Sequence, residues 1–216
     1  MRGGPMVLAQ RTLAGRAAEA LLHATITVPW ERPVHAARLA FLSRVACAGQ
    51  LSVHVACGTD RLGFIDVAFG LTTVLTDIHN ASLDILAQQF TDLHARLGPF
   101  PGGLQFRHLA VEALTSCEGF PPASIQHLTL QNLFNAHVHP ARVHPRIMDT
   151  VLAAIADGGT CFVTESEATV LKACTRVQGM QLQLLGKAPG YYDEAVFMLQ
   201  IHKSGGRQAA VARKPP

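Results

Sequence analysis

Apolar residues follow two different rhythms along this chain. Up to residue 48 they recur at helical spacing. Leu8, Leu13, Ala17, Leu21 and Leu22 share one face over Met6–His23, and Leu39, Leu42 and Val45 share one over Val34–Ala48, which Gly49 ends. The intervening Ala24–Pro33, with β-branched residues, Trp30 and two prolines, reads as a linker. Beyond residue 50 short apolar runs alternate with helical segments. The runs predict strands at Leu51–Ala56, Leu71–Thr76, Leu104–Leu109, His127–Leu133, Thr160–Thr164, Gln181–Leu185 and Ala195–His202. Helices are expected at Arg61–Phe69, Ala81–Leu97, Pro145–Ala156 and Glu167–Gln178.

Strands alternating with helices at this spacing predict an α/β fold with a Rossmann-like, mainly parallel sheet of seven strands and helices on both faces. The last two strands are separated only by a short Gly/Pro/Tyr loop, which predicts an antiparallel C-terminal edge strand. The organisation expected is an N-terminal helical extension and linker (residues 1–33), one domain (34–203) and a flexible tail (204–216). A hydrophobic fraction of 49% supports a sizeable core, and 15% charged residues argue against extended disorder.

Charge and cysteine usage narrow the function classes. The net charge is only +3 and the chain carries no dense Lys/Arg run, so no nucleic-acid surface is evident. Five cysteines without CxxC spacing fit buried or free thiols better than a disulfide scaffold, and this leads us to expect a cytoplasmic setting. Met1–His23 is interrupted by Arg11, Arg16 and Glu19 and does not read as a signal peptide, and no apolar stretch is long enough to span a membrane.

The segment VHVACGTDRLGFIDVAFGLTTVLTDIHNASLDIL (Val53–Leu86) places a turn, Cys57-Gly58-Thr59, after one strand and an acid, Asp77, at the end of the next. This resembles the first βαβ unit of class I S-adenosylmethionine-dependent methyltransferases. Further along, LQFRHLAVEAL (Leu104–Leu114), HLTLQNLFNAHVH (His127–His139), IMDTVLAAIADGGTCFVTE (Ile147–Glu165) and the hairpin around Gly190-Tyr191-Tyr192 resemble later parts of that family in order and spacing, over roughly residues 34–203. The resemblance implies S-adenosylmethionine as cofactor. Backbone amides of the turn, at Ala56 and Gly58, would approach it, Asp77 would accept hydrogen bonds from its ribose, and Ile78 would flank the adenine. Asn132, His137 and His139 fall where the family faces the methyl acceptor, with His137 or His139 as a base.

Three positions depart from the family pattern. His54 stands where an acid ends the first strand, Asp60 replaces the last glycine of the turn, and Ala110 falls where an acid contacts the adenine, with Glu112 nearby. Losing one charge-assisted hydrogen bond costs about 1.5–3 kcal/mol, so these changes bear on cofactor affinity. The reading is therefore a methyltransferase acting on a small-molecule acceptor, with a homodimer possible. The alternative is a methyltransferase-like protein that binds without turning over. A third reading takes His137, His139 and His144, with His54 or His127, as metal ligands; HxH is a short pattern with no carboxylate or cysteine set to complete it, so no metal site is assigned. Tyr191 and Tyr192 are expected to pack the terminal hairpin rather than line a pocket.

Overall fold

The computed structural model describes residues 16–26, 31–131, 133–134, 143–166, 180–189 and 195–203. The expected helix at Glu167–Gln178, the hairpin tyrosines and the acceptor-side Asn132, His137 and His139 lie outside these residues.

Two helices come first, α1 over residues 16–25 and α2 over Glu31–Val45. Then follow β1 (Leu51–Val55), α3 (Phe64–Ala68), β2 (Thr72–Asp77), α4 (Asn80–Leu97), β3 (Gly103–His108), a 3-10 turn (Val111–Ala113), β4 (Ile125–Gln131), α5 (His144–Ala154), β5 (Ile155–Ser166), β6 (Met180–Pro189) and β7 (Ala195–Lys203). The strands form one seven-stranded sheet in the order β3-β2-β1-β4-β5-β7-β6. The first five are mutually parallel, and β7 runs antiparallel to both β5 and β6. The reversed strand therefore lies one place in from the edge, and β6 forms the edge itself. An antiparallel hairpin permits this because its first strand can sit outside while the second inserts beside β5.

The chain order reverses beside β1, which pairs with β2 on one side and β4 on the other. This creates the crevice at the carboxyl ends of the strands where open α/β sheets hold ligands.

Strand β1 shows how both sheet faces are covered. Val53 and Val55 join the larger core cluster, which includes Leu128, Leu130, Met148, Val151 and Val163. The alternate residues Ser52 and His54 face the opposite layer and meet Arg38 of α2 and Asp66 of α3. Beyond β1 on that side, Phe41, Leu42, Ile65 and Val67 pack with Phe162 and Met198. Helix α4 covers the β2 end through Leu83, Leu86 and Leu93, packed against Leu75 and Phe64. Strands buried on both faces explain why the sequence shows apolar runs rather than strict alternation.

Three boundaries differ informatively from expectation. Helix α3 is only Phe64–Ala68, not Arg61–Phe69. Asp60 accepts the Leu62 amide at 2.6 Å, and the Asp60 amide donates to Cys57 O at 3.0 Å, so the chain turns before the helix can begin. Helix α2 begins at Glu31 inside the expected linker, with Pro33 tolerated in its first turn. Helix α5 stops at Ala154, and Ile155 already pairs with Ile125; the register then shifts across 156–159, where Gly158 adopts φ +77°.

Candidate functional site

The site begins with a strained turn. Strand β1 ends at Val55, and both Ala56 (φ +51°) and Gly58 (φ +54°) take left-handed conformations. At Gly58 this suits the residue, whereas at Ala56 it costs about 1 kcal/mol or more. A Cβ built on Gly58 would meet nothing within 4 Å, so space opens directly above the turn. That space is a cavity of about 340 Å³ lined by Glu31, Ala56, Cys57, Gly58, Thr59, Asp60, Gln131 and Leu133. The tips of β1 and β4 and the start of α2 form its walls.

Asp77 closes the end of β2 beside this turn. Its Oδ2 accepts the Gly58 amide at 2.8 Å and its Oδ1 accepts the His79 amide at 2.8 Å. The residue is 5% exposed. A carboxylate offers about four acceptor positions, so two remain after these bonds. Next to it Ile78 is 56% exposed, an apolar side chain presented at the rim. The end of β3 is stapled to the same place: the Leu109 amide donates to Asp77 O at 3.1 Å, and His108 Nε2 lies 2.9 Å from Ile78 O.

Asp60 enters the cavity wall as a fixed carboxylate. Besides the Leu62 amide, Oδ2 accepts Gln131 Nε2 at 2.9 Å, and His35 Nε2 of α2 lies 3.5 Å from Oδ1. Burial by itself would raise this carboxyl's pKa, but His35, the Leu62 amide and Gln131 together outweigh it and hold the pKa below the usual carboxylate value. The adjacent Cys57 thiol shows the opposite response. Burial first, then the charges of Asp77 and Asp60, push it up to about 12, so it is an un-ionised thiol and no nucleophile.

Several residues named from the sequence stand elsewhere. His54 is buried, with Nε2 3.0 Å from Asp66 Oδ2, and it does not line the cavity. The same carboxylate receives Arg38 through Nη2 (2.6 Å) and Nε (3.2 Å), and Ser52 Oγ donates to it at 2.5 Å. His54 is thus part of a buried polar network with Asp66, Arg38 and Ser52. The reason is strand alternation: two residues before Ala56, its side chain falls on the α2/α3 face of β1. Ala110, half-buried, caps the 3-10 turn, and Glu112 on that turn is exposed. Among the described residues no group of three or more His, Cys, Asp or Glu side chains is placed to hold a metal ion. His127, proposed above as a possible ligand, is engaged by Thr160 Oγ1 at 3.0 Å and Gln50 Oε1 at 2.9 Å, and His144 stacks edge-on to Phe134.

Sequence reading missed His35, Gln131 and Glu165. Glu165, near the end of β5, accepts the Phe134 amide at 2.8 Å and so fastens the chain just after β4. Burial pushes its pKa up to about 7, against the opposing effect of the Phe134 and Leu133 amides. A terminal glutamine on β4 was visible as a position; its contact with residue 60, in another strand-end turn, was not.

The comparisons with known proteins agree with this architecture. No protein-family model matches the chain, and no curated protein matches it by sequence. Solved structures do. A carbon methyltransferase, CurJ, superposes with a TM-score of 0.60 at 12% identity over 79% of this chain and 54% of its own. TrmN from Thermus thermophilus gives 0.61 at 11% over 79% of this chain and 48% of its own. The chain thus spans about half the length of these two. The N-methyltransferase NodS from Bradyrhizobium japonicum WM9 gives 0.62 at 10% identity, over 82% of this chain and 98% of its own. The chain has the Rossmann-like fold of class I methyltransferases.

Proposed function

We propose that this protein binds an S-adenosyl ligand across the tips of β1 and β2 and transfers its methyl group to a small-molecule acceptor. The observation that carries the reading is the Asp77–Gly58 hydrogen bond at 2.8 Å. It sets a carboxylate and a tight turn side by side at the carboxyl ends of two adjacent parallel strands, next to an open cavity. The donor set suits a nucleoside. The remaining acceptor positions of Asp77 match a pair of ribose hydroxyls, and the exposed Ile78 side chain offers an apolar surface for a base.

When bound, the cofactor would supply an activated methyl on a sulfonium ion. The protein's part is placement: the acceptor atom must be aligned with that methyl, which is where most of the rate gain in such a transfer arises. Asp77, Gly58 and Ala56 would fix the donor, and His137 or His139 would take a proton from the acceptor. A small acceptor is favoured by the absence of a dense basic run along the chain. We also expect a homodimer to be possible and the setting to be cytoplasmic; among the described residues no helix is long and apolar enough to cross a membrane.

A second reading has its own support. Asp60 in the cavity wall replaces the last glycine of the turn, and His54, where the family pattern has an acid, is buried against Asp66. A protein that binds an adenosyl ligand without turning it over accommodates both. Calorimetry with S-adenosylhomocysteine and 5′-methylthioadenosine tests the binding common to both readings; no heat with either ligand at millimolar concentration overturns them. Release of S-adenosylhomocysteine from S-adenosylmethionine in the presence of an acceptor pool then separates the enzyme from the silent binder.

A further inference from the structure

The charge of the cavity carries a conclusion about the ligand's tail, resting on the adenosyl-binding reading above. Among the described residues, the lining includes two carboxylates, Glu31 and Asp60, and no lysine or arginine. A third carboxylate, Asp77, is bonded to the floor of the turn through Gly58. The Asp60 side chain is 28% exposed, so it reaches the open space. Its direction is set by three partners on three elements: His35 on α2, the Leu62 amide before α3 and Gln131 at the end of β4. A carboxylate held in this way cannot swing aside for a second anion. Two like charges brought together in a partly desolvated cleft repel strongly, whereas an ammonium entering the same cleft gains a charge-assisted hydrogen bond.

The first strand, by contrast, has no acid to offer. His54 is buried against Asp66, and that carboxylate is already shared by Arg38 and Ser52 beneath the strand. An amine on the ligand therefore finds its carboxylate partner at position 60, on the turn.

We propose that Asp60 is the ammonium partner in this site, and that the site selects adenosyl ligands whose tail ends in an amine without a carboxylate over those carrying a full amino-acid tail. The selection follows from where the charge sits: an amine alone gains from Asp60, an amino-acid tail gains and loses at once, and a ligand with no tail is indifferent.

Isothermal titration calorimetry of the whole chain with three probes tests this. They are decarboxylated S-adenosylhomocysteine (amine only), S-adenosylhomocysteine (amine and carboxylate) and 5′-methylthioadenosine (neither), all thioethers uncharged at sulfur. The wild-type protein should bind the first about tenfold or more tighter than the second. Asp60→Asn should remove that preference while changing 5′-methylthioadenosine affinity by less than about twofold. Asp60→Gly should reverse the order. Equal or tighter binding of S-adenosylhomocysteine by the wild type overturns the proposal while leaving the adenosyl reading intact. An unchanged preference in Asp60→Asn overturns it as well. Failure of all three probes to bind either the wild type or Asp60→Gly sinks the adenosyl reading itself. If a variant proves unfolded by circular dichroism, the wild-type order of the three ligands decides.

Discussion

The Gly58 amide donates to Asp77 Oδ2 at 2.8 Å, tying the turn after β1 to the last residue of β2 across nineteen positions of chain. The same carboxylate also holds the His79 amide ahead of α4. One side chain thus fixes two neighbouring strand ends through two backbone amides.

Asp77→Ala should therefore affect both folding and binding. Two amides lose their acceptor, and the expected destabilisation is about 1–3 kcal/mol. Adenosyl-ligand affinity should fall by about tenfold or more. Asp77→Asn keeps one carbonyl acceptor and should lose less of each. Urea denaturation paired with calorimetry measures the two effects separately. Unaltered binding in Asp77→Ala would remove this residue from the site.

The Arg38–Asp66 pair is wholly buried, and removing one member leaves the other charge without a partner. Asp66→Ala should cost about 3–5 kcal/mol, and a double replacement Arg38→Met with Asp66→Leu should recover much of that loss. Burial opposes ionisation of Asp66, but Arg38 and His54 outweigh it and hold its pKa far below the usual value. A carboxyl depressed on folding adds stability above its unfolded pKa of about 3.9 and loses it as the pH falls toward the folded value. Wild-type stability should therefore drop steeply below about pH 4, and Asp66→Asn should show a shallower drop. Denaturant midpoints across that range check the slope.

Two buried groups set opposing slopes nearer neutrality. The Glu165 carboxyl is raised to about 7, so the folded state holds a proton that the unfolded chain releases above its ordinary value of 4.5, and stability falls as the pH rises between them. His127 is lowered to about 4 by burial and by the Arg38 charge, partly opposed by Asp66; the unfolded chain takes up a proton first, and stability is lost as the pH falls from 6.5 toward 4. Each contribution is on the order of 3 kcal/mol at full extent. In the wild type the two slopes cancel in part. Glu165→Gln should uncover stability that rises with pH, and His127→Gln should uncover stability that falls. Matching pH profiles for the two variants would contradict the assignment.

Thiol reactivity should follow exposure and charge. Cys47 and Cys117 are exposed, whereas Cys57 and Cys161 are buried. Cys57 also sits in the field of Asp77 and Asp60. Iodoacetamide at pH 8, followed by peptide mass mapping, should label Cys47 and Cys117 well before Cys57. Addition of denaturant should bring Cys57 to the same rate. Early modification of Cys57 would mean that the turn opens readily.

Much of this was legible because it depends on local pattern. Apolar runs separated by helical segments gave the parallel β/α alternation, and the interval between Gly58 and Asp77 placed the turn and the acid on neighbouring strands, as the pairing of β1 with β2 bears out. The same interval could not say that the two residues bond to each other, or that Asp77 is nearly buried.

Other features depend on contacts between distant stretches of chain. His54 looked like an altered ligand because its position along the strand is right. Strand alternation turns it to the other face, and only the packing of α2 and α3 there supplies Asp66 and Arg38. His35 and Gln131 meet Asp60 across 25 and 71 positions of chain, a coincidence no local pattern encodes. Likewise, insertion of β7 beside β5, with β6 left at the edge, is a choice of sheet partner. Periodicity reports which residues a strand or helix buries. Which charge ends beside which, and so what the cavity attracts, is settled only when the elements pack.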